Sequence, residues 1–399
     1  MAQIAIKSRI YLDHAATTPA RPAAIAAMAA AAAVVGNPSS VHSGGRAANA
    51  IVEAARESIA QWAECRPEAV VFTSGGSEAL ALALNTPWRV LAGATEHSAV
   101  LMARLDADLL PVDGNGVIDL DALATALRSG PALVAVQHAN NETGVIQPIA
   151  AIAALVAAAG GRLLVDAVQS AGKLPLPDAD FVAVSAHKLG GIPGCGALIA
   201  RDPALVSAVQ RGGGQERGLR GGTANLPGIA AFAAAVADPT DWTRIASLRD
   251  LLELRLGAPV HGANAPRLPN ISNIALPGVA AVTQVMALDL AGVMVSAGAA
   301  CSSGKVAASH VLTAMGVAAA GEAIRVSLGP VTTTAEIDTF CTAWNKMAAR
   351  LQKPNSLPPP CGEGDSASAE RGGGSYPRKS EPDPVPAKVR TAHLAEKPS

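Results

Sequence analysis

Aromatic residues are scarce in this chain: Phe, Trp and Tyr make up 3% of 399 residues, while half of all residues are hydrophobic and alanine is abundant. Its core must therefore be built mainly from aliphatic side chains. Paired cysteines are missing too. Cys65, Cys195, Cys301, Cys341 and Cys361 form no CxxC motif and are odd in number. A disulfide framework is not expected, and a reduced, cytoplasmic setting fits this usage better. Neither sign of charge is in excess, the formal net charge being -1. That gives no electrostatic reason to expect nucleic acid or a membrane surface as the main partner. No basic-then-apolar leader pattern opens the chain, and the longest apolar run, residues 23–35, is alanine-dominated and too short to span a membrane. Neither a Walker A sequence nor a GxGxxG fingerprint occurs. What remains is a soluble chain long enough for a large core and two packed domains.

Short β-branched runs alternate with alanine-rich helical stretches. Residues 70–73, 133–136, 163–166 and 181–184 read as buried strands, with helices at 77–84, 120–127 and 149–159 between them. Continuous apolar strands separated by helices imply an α/β domain whose sheet is covered on both faces. We place it at about residues 16–240. From 241 to 351 the pattern becomes a charged helix (242–256), short strands at 271–276, 293–296 and 324–327, and a last helix from 335. This predicts a smaller α+β domain, joined by residues 1–15. Residues 352–399 are rich in Pro, Gly, Ser and charge, and are expected to be a disordered tail.

Four features could carry chemistry. Lys188 follows the strand 181–184 and precedes a glycine-rich stretch; alone it reads as a solvated loop lysine, or else as a Schiff-base lysine in a partly buried site. Asp166 closes an apolar strand, where a carboxylate needs a cationic or hydrogen-bonding partner. It could face a pyridinium nitrogen, with Gln169 near a phenolic oxygen, or it could simply cap the next helix. Thr73-Ser74-Gly75-Gly76-Ser77-Glu78 lies between strand and helix, where free N–H groups can hold a phosphate. His97, after the strand 89–92, could stack on an aromatic ring and shuttle protons as a catalytic group, or be an ordinary loop histidine. The order of these features, each at the C-terminal end of a strand, is that of a ligand site in an open α/β sheet.

In sequence the chain resembles the NifS/IscS-type cysteine desulfurases, within the aminotransferase class V, fold-type I pyridoxal-phosphate enzymes. The matching stretches are 11–19 (Tyr-Leu-Asp-His-Ala-Ala-Thr-Thr-Pro), 36–42, 72–78, Asn140 to Gly144, Val165 to Gln169, and Ser185 to Lys188. They continue through Gly213 to Glu216, Arg220 to Thr223, Gly298 to Ser303, Ser309 to Leu312, and Ile324 to Gly329. The resemblance implies a large α/β domain with a mixed, mostly parallel sheet and a smaller α+β domain. It makes pyridoxal 5'-phosphate the cofactor and calls for no metal. Gly76, Ser77, Ser185 and His187 become phosphate ligands, and Thr223 is expected to reach the phosphate of a second subunit, implying a homodimer. His97 resembles the ring-stacking histidine, Asp166 the pyridine-nitrogen partner, Gln169 the phenolate partner and Lys188 the cofactor-linking lysine. Asn141, also beside the cofactor, and Arg325 resemble the groups that hold the substrate carboxylate, a task suited to arginine's two-pronged fork.

Cys301 decides the reaction in this comparison. Free cysteines are commonly buried, but the flanking Gly298, Ser302, Ser303 and Gly304 argue against a packed core. A Cys301 thiolate would attack the γ-sulfur of L-cysteine, leaving L-alanine and a Cys301 persulfide for an acceptor or iron–sulfur scaffold protein, in cluster assembly or tRNA thiolation. A selenocysteine lyase or a class V aminotransferase would share the cofactor residues, and a non-catalytic sulfur-assembly partner would share the fold. The chain departs from the family pattern at Leu189 to Gly194, at Ser296 to Ala299, in the short segment 84–96 and in the tail.

Overall fold

The computed structural model describes residues 9–298 and 308–352. The expected disordered tail lies outside the described residues, except for Gln352, which ends the last helix.

A seven-stranded sheet organises the first two hundred residues. Its strands are β2 (Val70–Thr73), β3 (Val90–Gly93), β4 (Asp108–Leu110), β5 (Leu133–Gln137), β6 (Arg162–Asp166), β7 (Phe181–Ser185) and β8 (Gly196–Ala200). The first short strand of the chain, β1 (Ile10–Tyr11), belongs elsewhere. The order across the sheet is β2-β8-β7-β6-β5-β3-β4. Neighbours from β7 through β4 run parallel, and only β8 runs against them, between β7 and β2. Strands β5, β7 and β8 are buried along their whole length, as expected when helices cover both faces.

Alternation along β7 divides two cores. Val182 and Val184 pack with Val52, Ile59 and Phe232 from the helices Ser43–Trp62 and Leu226–Val236. Phe181 and Ala183 point to the other face, with Leu80 and Leu84 of the helix Gly76–Leu84. This is the two-residue period of a pleated strand buried on both sides.

The remaining strands are β9 (Ile271–Ala275), β10 (Val293–Met294) and β11 (Ala323–Ser327). β1 lies parallel to β10 and β11 antiparallel to β9. Leu12, Ile245, Ile274, Ile324, Phe340 and Trp344 build a separate core here. The helix Trp242–Leu256 starts where Asp241 accepts the N–H groups of Thr243 and Arg244, and ends at Gly257, whose φ of +58° favours glycine. A capping box of Thr333 and Glu336 starts the helix Thr334–Leu351.

The strand anticipated at 293–296 is shorter than expected. Only Val293–Met294 pairs as a strand, because β1 offers just two residues; Ser296 pairs singly with Arg325. The helices Pro22–Ala32 and Ala281–Leu290 and the antiparallel strand β8 were not anticipated individually.

Candidate active site

The C-terminal ends of five strands converge on one cavity of about 520 Å³. β2 leads to Gly76 and Ser77, β3 to His97, β5 to Asn141, β6 ends on Asp166 and β7 on Ser185. Gly76, Ser77, His97, Asn141, Asp166, Gln169, Ser185, His187, Lys188 and Arg325 all line it. Thr223 does not. It lies in a smaller pocket with Ser74, Gln215 and Arg220. Cys301 lies outside the described residues, but Gly298 and Ala308, on either side of it in the chain, both line the cavity.

Lys188 sits on a single 3-10 turn, Ala186–Lys188, directly after β7. Its Nζ donates to the main-chain oxygens of Ala15 and, at 2.8 Å, Ala16. Gln169 Nε2 donates to the same Ala15 oxygen at 2.9 Å. The amine's charge is felt around it. His97 is pushed below the usual histidine range by burial first, then by Lys188 and His310. His187 falls to about 4, again through burial and then Lys188, while its Nδ1 lies 3.0 Å from Thr17 Oγ1. Both rings are therefore neutral at pH 7.

Asp166 is 8% exposed and accepts the Val168 N–H at 2.9 Å through Oδ1. Burial raises its carboxyl to about 6, against the Val168 hydrogen bond and the charge of Lys188. No helix follows Asp166, so it is not a helix cap: its carboxylate holds a turn and lines the cavity. His97 is a cap, its Nδ1 accepting the Ala99 N–H at 3.0 Å.

Arg325, also in the cavity lining, is 3% exposed. Nη2 donates to Asp13 Oδ1 at 2.8 Å and Nη1 to the Asn141 main-chain oxygen at 3.0 Å. Asp13 was not singled out in the sequence, since its role depends on β1 and β11 meeting; the isolated bridge between Asp13 and Ser327 sets that contact. Four other groups were missed, two of them buried carboxyls, Glu96 and Glu142. Glu96 is fully buried, and desolvation pushes its carboxyl well above the usual range. Lys173 falls to about 7 through burial and then the charge of Lys188. Glu142 and His310 also line the cavity. Their only sequence signal was nearness to residues already chosen.

The Aminotransferase class-V family profile matches residues 10–340. The chain belongs to the class-V aminotransferase family. A cysteine desulfurase of Cereibacter sphaeroides is 40% identical over 361 residues, covering 83% of this chain and 93% of the relative. Among solved structures, the NifS-like protein of Rickettsia africae superposes with a TM-score of 0.80 at 31% identity, covering 86% of this chain and 99% of that one. SspA, solved in complex with cysteine, superposes with a TM-score of 0.71 at 27% identity, covering 81% and 100%. The expected fold-type I architecture is the one this family member has. Among the described residues no helix is long and apolar enough to cross a membrane.

Proposed function

We propose that this chain is a cysteine desulfurase that holds pyridoxal 5'-phosphate through Lys188 and moves the sulfur of L-cysteine onto Cys301, releasing L-alanine. One observation carries this reading: a single cavity is lined by Lys188, Asp166, His97 and Arg325 together, and by Gly298 and Ala308, the described residues on either side of the Cys301 stretch.

The cavity suits the cofactor. Asp166 is a buried carboxylate facing the cavity, and a protonated ring nitrogen is the partner that offsets its desolvation. At one end Gly76 and Ser77 begin a nine-residue helix, with Ser185 and His187 beside them, a donor set for a phosphate. No side chain fits at Gly76, since a Cβ there would lie 2.5 Å from Val168 Cγ2. Bound there, the cofactor supplies an electron-withdrawing ring next to the substrate's α-carbon.

The chain's own residues do the rest. Arg325 and Asn141 hold the substrate carboxylate, and the Asp13 contact fixes the aim of the guanidinium. Neutral His97 would hold the ring and could take up a proton, and Gln169 would be the partner of the phenolic oxygen. Cys301 attacks as thiolate: the carbon–sulfur bond of cysteine breaks, the sulfur–sulfur bond forms, and a proton quenches the electron pair left on carbon. Thr223 lies away from this cavity, which suits a residue completing the phosphate site of a second copy. The reading therefore includes a homodimer, a division into 16–240 and 1–15 with 241–351, a cytoplasmic setting and a protein acceptor for the persulfide sulfur.

Purified protein loaded with cofactor should convert L-cysteine to alanine, with equal sulfide when a thiol reductant is present. Amino transfer to a 2-oxo acid without sulfide release would overturn the reading in favour of a transaminase.

A further inference from the structure

Two turns that carry site residues at neighbouring strand ends are tied together by one buried amide. Strands β3 and β5 pair in parallel as far as Ala92 and Ala135. Beyond that point the chain after β3 runs through Thr95 to His97, and the chain after β5 through Asn140 to Asn141. Thr95 and Asn140 are each 1% exposed. Their polar groups must therefore find partners inside the protein, where the ladder no longer supplies them.

Asn140 supplies them from both ends of its side chain. Nδ2 donates to the Thr95 carbonyl at 3.2 Å and to Gln137 Oε1 at 3.3 Å. Gln137 Nε2 donates to the same Thr95 carbonyl and to Thr95 Oγ1, both at 2.9 Å. Asn140 Oδ1 accepts the Glu142 N–H at 2.8 Å, the Thr143 N–H at 2.9 Å and the Thr143 hydroxyl at 3.2 Å. These partners fix which end of the amide is which: a main-chain N–H can only donate, and the Thr95 carbonyl can only accept. An ionised aspartate here would set a second acceptor against that carbonyl, and alanine would offer neither end. One residue on, the Asn141 carbonyl accepts Arg325 Nη1 at 3.0 Å. Asn140 does not line the cavity, while His97, Asn141 and Arg325 do.

We infer that Asn140 is a positioning residue: its side chain locks the turn carrying His97 to the turn carrying Asn141, and so sets the spacing between the group that holds the ring and the groups that hold the substrate carboxylate. This rests on the roles proposed above for His97, Asn141 and Arg325. The two ends of the amide serve different sides, Nδ2 the His97 turn and Oδ1 the turn of Asn141 and Arg325. Spacing matters here, because a misplacement of about 1 Å can cost on the order of a hundredfold in rate.

The test uses the cofactor-loaded full chain and three variants, Asn140→Asp, Thr143→Val and Asn140→Ala. Alanine release per bound cofactor gives kcat, and the cysteine-induced change in visible absorption gives binding. Asn140→Asp keeps the Oδ1 contacts and spoils the one to Thr95. It should lose about tenfold or more in kcat while binding cysteine within about twofold of wild type. Thr143→Val removes one donor to Oδ1 and should do the reverse, weakening cysteine binding about threefold with kcat kept. Asn140→Ala frees both turns and should lose in both quantities. Unchanged kcat in Asn140→Asp would overturn the inference. So would matching losses of kcat and binding in both one-sided variants, since general loosening does not separate the two. Should Asn140→Ala fail to fold, the one-sided variants decide the matter. A wild-type protein that made no alanine from cysteine would instead sink the desulfurase reading beneath it. The visible band of the bound cofactor would then still test the link to His97, since it should shift in Asn140→Asp and stay put in Thr143→Val.

Discussion

Arg325 reaches across 312 residues of chain to Asp13, donating from Nη2 to Oδ1 at 2.8 Å. With Nη1 on the Asn141 carbonyl, the guanidinium is aimed before any substrate arrives. Replacing it with lysine removes the planar fork while keeping the charge. Arg325→Lys should raise KM for cysteine by about tenfold, the worth of one charge-assisted hydrogen bond. Binding of cysteamine, which lacks the carboxylate, should change little. Equal losses for both compounds would mean that Arg325 supports the fold and does not read the carboxylate.

Two half-buried amines compete for the role of cofactor anchor. Lys173, held at about 7, carries a large neutral fraction at physiological pH. Its Nζ donates to the Gln169 carbonyl at 2.8 Å and lies 5.3 Å from the centre of the Trp242 ring, outside the cavity lining. Borohydride reduction of the loaded protein followed by peptide mapping should therefore label Lys188. Lys188→Ala should lose the yellow colour and all turnover. Label on the Lys173 peptide would reassign the anchor.

Asp166 trades stability for function. Its carboxyl is raised from 3.8 to about 6, so between those values the unfolded chain binds fewer protons than the folded one. Stability accordingly falls as pH rises from about 4 to 6, and a penalty of about 3 kcal/mol persists above that. In protein stripped of cofactor, Asp166→Asn should melt higher than wild type at pH 7, with the difference gone below pH 4. Loaded with cofactor, the same variant should turn over more slowly, because a neutral amide cannot stabilise a protonated ring nitrogen. A melting point that does not respond to the substitution would show that the carboxylate is already compensated.

Much of this site was legible because its parts sit at the ends of continuous apolar strands, which the sequence marks clearly at β2, β5, β6 and β7. Asp166 and Lys188 follow such strands directly, so their place at one rim needs only parallel pairing. Arg325 lies within β11, and no periodicity marks it out; its role entered through resemblance alone. The partnerships of Asp13 and Ser309 were invisible, since Arg325 and Glu142 stand 312 and 167 residues away. Helices such as Pro22–Ala32 were blurred by alanine, which suits a helix but marks no face. Thr223 was expected to serve a second copy; in this chain it lines a different pocket from the other site residues.

The central claim is that the thiol of Cys301 receives the sulfur. Cofactor-loaded wild-type protein, given L-cysteine without reductant, should gain one sulfur atom per chain, and peptide mass spectrometry should place it on the Cys301 peptide. Cys301→Ser should still show the cysteine-induced change in visible absorption, because Lys188, Asp166, Asn141 and Arg325 are untouched, but should gain no sulfur and release no sulfide. Cys195 is an unsuitable alternative, since burial drives its thiol up to about 12. Sulfur found on the Cys195 or Cys341 peptide, or undiminished sulfide release by Cys301→Ser, would contradict the account.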